Sequence, residues 1–153
     1  MAVNAGFEGD LIRPLGLVTL YSAYAEGALD DLLAALCGQR PLEEAMQGWW
    51  VGKKIAFARG QICDLRSEDL TALIGVLDEA RSLFDQRNAL VHGRLYSGGR
   101  LISNRSSVAA RRVSPEEIVA LADRIFSCKE QIWSHTQRSL LPMLKVLRSQ
   151  GGT

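Results

Sequence analysis

Acidic residues are missing from one long stretch of this chain. Between Gln86 and Pro115 there is no aspartate or glutamate, while Arg87, Arg94, Arg100, Arg105, Arg111 and Arg112 all fall inside it. The whole chain carries a net charge of only +1, so the remainder sums to −5 and the basic character is confined to this window. Other shortages exclude whole classes. Histidine occurs twice, at His92 and His135, with no organised carboxylates beside either, which is a poor ligand set for a metal. The three cysteines, Cys37, Cys63 and Cys128, are odd in number and lack Cys-x-x-Cys spacing, so no disulfide framework or zinc site is expected and a reducing cytoplasm fits best. Apolar runs are short. The richest stretch, from Leu15 to Leu36, is broken by Glu26, Asp30 and Asp31, well under the roughly 20 apolar residues a membrane span needs. With Glu8 and Asp10 near the start in place of a basic region, neither secretion nor a membrane partner is expected. No Ser-His-Asp, Walker or Rossmann pattern occurs, and there is no internal repeat or low-complexity tract.

What is present describes a folded helical chain. Its 153 residues, 47% hydrophobic and 23% charged, match an ordinary globular domain, and residues 1–153 are expected to form one unit. Pro14 suits a first helical turn, and Leu17, Leu20, Tyr21, Tyr24, Ala28, Leu32 and Ala35 recur at helical spacing up to Gly38. Pro41 opens a second helix, in which Gly48 and Gly52 around Trp49-Trp50-Val51 permit a bend or break. Ser67 is the expected cap of a third helix, with Glu68 and Asp69 in its first turn and Gly93 as a left-handed stop. Residues 94–103 read as two short strands about Gly98-Gly99, giving a hairpin insertion over about 94–113. Ser114-Pro115-Glu116-Glu117 starts the last long helix, whose apolar face includes Ile118, Leu121, Ile125, Ile132 and Trp133, and Pro142 should kink or restart it near Leu141. The expected fold is all-α, an antiparallel four- to five-helix bundle with a small β-hairpin.

The third helix carries the chemistry. Its inward stripe, Leu70, Leu73, Ile74, Leu77, Ala80 and Phe84, is followed in phase by Arg87, Asn88 and Val91, so polar groups stand where core residues are due. Asn88 and His92 stack one turn apart, whereas Arg87 and His92 are separated by about 140° and 7.5 Å of rise in an ideal helix. Histidine exchanges a proton near neutral pH, and arginine grips phosphate with a planar fork of donors. The pair suits phosphodiester cleavage with the ribose 2′-hydroxyl as internal nucleophile, a scheme that needs neither metal nor cofactor. The arginine-rich flank, with Arg94, Arg100, Arg105, Arg111 and Arg112, reads as an RNA-binding footprint, to which Tyr96 adds a stacking surface. A solvated loop is the bland alternative.

Arg87-Asn88-Ala89-Leu90-Val91-His92 near the end of the third helix of an all-helical chain resembles the signature of the HEPN superfamily: an arginine, a polar residue, a short spacer, then histidine. The resemblance implies a compact helical bundle, commonly homodimeric, with Arg87 and His92 of two subunits converging on one cleft and Asn88 orienting groups or contacting phosphate. It further implies a metal-independent endoribonuclease of toxin–antitoxin or phage-defence systems, or else an inactive module that binds a nucleotide, an antitoxin or a partner nucleotidyltransferase. Structural competitors are explicit: Asp85 for the charge of Arg87, Glu130 beside His135, packing for Trp49, Trp50 and Trp133, and burial for the cysteines.

Overall fold

A computed structural model describes residues 5–96, 100–102 and 111–152. Among these, five α-helices of ten residues or more and one single-turn helix surround one apolar cluster. They are α1 (Ala5–Cys37), the single turn α2 (Glu44–Gln47), α3 (Val51–Asp64), α4 (Thr71–His92), α5 (Pro115–His135) and α6 (Leu141–Gln150). α1 packs on α5 and α3, and α4 packs on the same two, so α1 and α4 occupy opposite corners of the bundle. No helix among the described residues is long and apolar enough to cross a membrane.

Helix α1 begins at Ala5 and carries Pro14 inside it, not at its first turn. Its buried stripe also differs from the sequence expectation. Leu11, Val18, Ala25, Leu29, Leu32 and Leu33 face the core, whereas Leu20 and Tyr24 stand on the outside, 45% and 48% exposed. The helix is apolar on more than one side, so periodicity alone admitted two phases. Gly38 ends α1 at φ +67, and the Arg148 guanidinium donates to the Ala35 carbonyl at 2.9 Å, tying α6 to this end.

The break anticipated around Gly48 is present, with α2 stopping at Gln47 and α3 starting at Val51. Pro41 precedes α2 by three residues and does not open it. α3 buries Lys54, Ala58 and Ile62 at successive four-residue steps, and Lys54 is the one charged residue inside the bundle among those described. Its Nζ lies 3.1 Å from Glu26 Oε1 and 2.8 Å from Asp30 Oδ1, both from α1. The Asp30 contact falls outside hydrogen-bond angles and is Coulombic in character.

Ser67 makes no side-chain cap; a 3-10 turn, Glu68–Leu70, leads into α4 instead. Ser114 caps as expected, accepting from the Glu117 backbone N–H at 3.1 Å with Pro115 in the first turn, but the Glu117 carboxylate turns to Arg111 and does not close the capping box. Ahead of Pro142, which lacks the N–H an α-turn would use, the chain takes a π-turn over Thr136–Leu140 before α6 resumes. Trp133, expected in the apolar face, is 45% exposed, and Trp50 is 65% exposed. Of the cysteines only Cys128 is buried, its thiol pushed up to about 12 by burial and by the nearby charge of Glu79; Cys37 is half-buried and Cys63 exposed.

After α4 comes a three-stranded antiparallel sheet in the order β1 (Arg94–Tyr96), β2 (Arg100–Ile102), β3 (Arg111–Arg112); the third strand was not anticipated. Tyr96 pairs with Arg100, so three residues join β1 to β2, and the expected Gly98-Gly99 turn lies outside the described residues. Leu101 of β2 is buried close to Gly93 at the end of α4, and Val113, just after β3, is buried as well. Gly93 is extended, at φ −74 and ψ 170, so the left-handed stop is not used. Its glycine is required by crowding: an added Cβ would run into the Ala89 carbonyl oxygen and stand 2.9 Å from that of Ile102. Gly93→Ala is therefore expected to loosen the sheet from α4 and lower the unfolding free energy by about 1–3 kcal/mol, read by urea titration. An unchanged midpoint would mean the sheet is not seated as described.

Candidate functional site

Arg87, Asn88 and His92 all lie on regular α-helix, because α4 runs unbroken to His92. Arg87 continues the inward stripe and is half-buried; the stripe then passes to Leu90, leaving Asn88 and Val91 exposed. Only one of the two polar residues expected in the core phase is thus drawn inward. In the last turn the buried face runs through Leu90, which is in the core, and this turns Asn88 and Val91 to solvent.

The Arg87 guanidinium bends round to Asn88, Nη1 donating to Oδ1 at 2.9 Å. This closes much of the angular gap noted above, since Asn88 stands one turn below His92 on the same face. No hydrogen bond joins His92 to Arg87 or Asn88 among the described residues, and the imidazole is exposed. Asp85, the structural competitor, is 3.9 Å from Arg81 instead. No carboxylate pairs with Arg87 among the described residues, and its Nε is buried without a hydrogen-bond partner. The alternative of a structural Arg87–Asp85 ion pair is therefore not what these residues form.

Two grooves flank α4. One, of about 270 Å³, is walled by Gln86, Leu90, Arg111, Glu117 and Arg124; the other, of about 530 Å³, by Asp78, Arg81, Asp85, Gln86, Ala89 and Arg111. They share Gln86 and Arg111. Neither is lined by Arg87, Asn88 or His92, although the α4 wall of the larger groove, Arg81, Asp85 and Ala89, leads by three- and four-residue steps to His92. Arg81, Gln86 and Arg124 were not singled out from sequence. The i, i+4 and i, i+3 spacing of Arg81, Asp85 and Asn88 was the available signal.

The arginine-rich flank is only partly described. Arg111 is exposed and pairs with Glu117 at 3.1 Å. Cross-strand register sets Tyr96 opposite Arg100 and Arg100 opposite Arg112, one row across the sheet at the end of α4. Arg94 pairs in register with Ile102, and Arg105 lies outside the described residues. Elsewhere, His135 is half-buried at the end of α5, and the described residues hold no cluster of three His, Cys, Asp or Glu fit for a metal ion. Comparisons with family models, curated proteins and solved structures find no match to this chain.

Proposed function

We propose that the protein is an endoribonuclease that cleaves RNA by attack of the ribose 2′-hydroxyl, with Arg87, Asn88 and His92 as its reactive groups. The observation that carries this reading is the state of Arg87: its natural structural partner Asp85 goes to Arg81, and its head group is turned onto Asn88, four residues before the exposed His92. In this scheme His92 moves the proton between the 2′-hydroxyl or the leaving 5′-oxygen and solvent. Arg87 stabilises the negative charge that grows on the phosphorus oxygens, and Asn88 holds the guanidinium in place. A polyanionic ligand is supported by the window from Gln86 to Pro115, which carries six arginines and no carboxylate, and by the strand register that sets Tyr96, Arg100 and Arg112 in one row. The toxin–antitoxin or phage-defence setting follows from the HEPN resemblance alone.

A second reading is a binding module without activity, for a nucleotide, an antitoxin or a nucleotidyltransferase. It is favoured by the two grooves, neither of which includes His92. Incubating the purified chain with a mixed RNA pool in excess EDTA separates the two. Cleavage leaving cyclic phosphate ends, and lost in His92→Ala and Arg87→Ala, supports the nuclease. Absence of cleavage, or cleavage indifferent to both substitutions, transfers the proposal to the binding module.

A further inference from the structure

Trp50 was expected to fill space, yet it is 65% exposed, more than Tyr24, Phe126 or Trp133. It is the residue just before α3. Its ring is nevertheless held in place. A Cβ added at Gly52 would run into the indole carbons Cζ3, Cε3 and Cη2, so a residue unfavourable in helices stands in the first turn of α3 where the ring lies against the backbone. From α4, the Arg81 guanidinium carbon comes within 5.4 Å of the ring centroid, and Arg81 Nη1 donates to the Gly52 carbonyl at 3.4 Å. Beside it Lys53 Nζ lies 4.0 Å over the Trp49 ring, which packs edge-on against Phe57. An aromatic surface that is fixed in advance and open to solvent lowers the ordering cost of binding a flat ligand.

Its place beside α4 indicates which flat ligand it suits. Arg81, Asp85, Asn88 and His92 follow one another at steps of four, three and four residues and are all exposed. They form one line on α4, about 16 Å long, that leads from the indole to the imidazole. The groove of about 530 Å³ follows the same line, with Arg81, Asp85 and Ala89 in its wall. Its charges are matched: Asp78 by Arg59 at 2.8 Å, Asp85 by Arg81 at 3.9 Å and Arg111 by Glu117 at 3.1 Å. A groove with no surplus charge that ends at an aromatic ring suits a nucleobase better than a phosphate. The phosphates are left to the acid-free window that begins at Gln86.

We propose that Trp50, held by Gly52 and Arg81, stacks an unpaired base of a single-stranded RNA, a few nucleotides from the phosphate that lies at Arg87 and His92. The inference rests on the RNA reading above and narrows its substrate class. Every base has a face to offer an aromatic ring, so the contact is tolerant of sequence. A duplex keeps its interior bases stacked on one another and offers the indole none, so Trp50 separates single strands from duplexes.

Fluorescence anisotropy of a labelled single-stranded 2′-O-methyl oligonucleotide, titrated with the full chain, tests this with a probe that lacks the internal nucleophile. Trp50→Leu keeps apolar surface without an aromatic face and is expected to raise the dissociation constant about tenfold, and Trp50→Phe only about two- to threefold. Affinity for a duplex of the same length should not change in either variant. Gly52→Ala retains the indole but displaces it, and should weaken single-strand binding as Trp50→Leu does. Because the ring is mostly outside the core, the far-ultraviolet circular dichroism spectrum of Trp50→Leu should match that of the native chain. Native affinity in Trp50→Leu, equal losses on single strand and duplex, or a leucine variant as good as the phenylalanine one would overturn the proposal. So would a native chain that does not bind the probe. Cleavage is a separate measurement: a chain that binds through Trp50 but cuts no RNA in EDTA keeps the platform and loses the nuclease reading, and one that cuts RNA but is indifferent to Trp50→Leu loses only the platform.

Discussion

Replacing His92 with alanine is expected to slow RNA cleavage by about two to four orders of magnitude while leaving stability unchanged. The imidazole is exposed and makes no hydrogen bond among the described residues, so its removal opens no cavity and orphans no partner. Arg87 should behave differently. Arg87→Lys keeps the charge but loses the planar fork, and with it the geometry that holds Asn88 Oδ1 at 2.9 Å; a fall of about a hundredfold in kcat is expected, on the scale of one lost charge-stabilising donor. Arg87→Leu should abolish cleavage yet leave the fold as stable as before or about 1 kcal/mol more so. It removes a buried Nε that has no partner and fills the inward phase with an apolar side chain. Single-turnover cleavage measured beside urea unfolding of the same variants reads both quantities. A residue that only staples the helix end would lose stability and activity together. If Arg87→Leu unfolds early, the structural role wins and the nuclease scheme loses its electrostatic element.

The legibility of this site in the sequence has a physical basis. An arginine in the inward phase of an amphipathic helix is conspicuous because burial of charge is costly, and Arg87 is indeed the polar residue that the stripe draws in. Asn88 and Val91 were placed inward by the same rule and stand outside, because the buried face of α4 passes from Arg87 to Leu90 in its last turn. α1 failed in another way. With apolar residues around most of its circumference, its sequence offered one stripe through Leu20 and Tyr24 and another through Val18, Ala25 and Leu29, and only the position of α5 and α3 selects between them. Gly93 was read as a left-handed helix stop, and its extended backbone overturns that reading: the glycine answers crowding by Ala89 and Ile102. Strand β3, two residues long, has no periodicity to read; its pairing with β2 is a tertiary event. Lys54 went unnoticed although its signal was present: an amine in phase with Ala58 and Ile62, and two acids four residues apart, Glu26 and Asp30, in the apolar second half of α1.

That cluster gives the largest stability effect expected here. Lys54→Ala should lower the unfolding free energy by about 3–5 kcal/mol, since it deletes a buried stem as long as that of methionine and leaves two carboxylates facing each other without a cation. Lys54→Met separates the two causes. It retains most of the packed stem, and Glu26 and Asp30 keep contact with water at 39% and 29% exposure, so a loss of about 1–2 kcal/mol is expected. Adding Glu26→Gln and Asp30→Asn to Lys54→Met should recover part of that loss, because the repulsion disappears with the charges. pH gives an independent measure. Burial, the largest single influence on Lys54, pulls its pKa down, but contacts with Asp30 and Glu26 together outweigh it and hold the ammonium above its ordinary 10.5. A group whose pKa is raised by folding binds its proton more tightly in the native state, so its contribution is fully present below about 10.5 and fades as the pH rises through the folded value. The native chain should therefore lose stability in alkaline solution over that window, and Lys54→Met should lose less. Parallel alkaline profiles for the two proteins would show that the buried ammonium contributes nothing to holding α3 against α1.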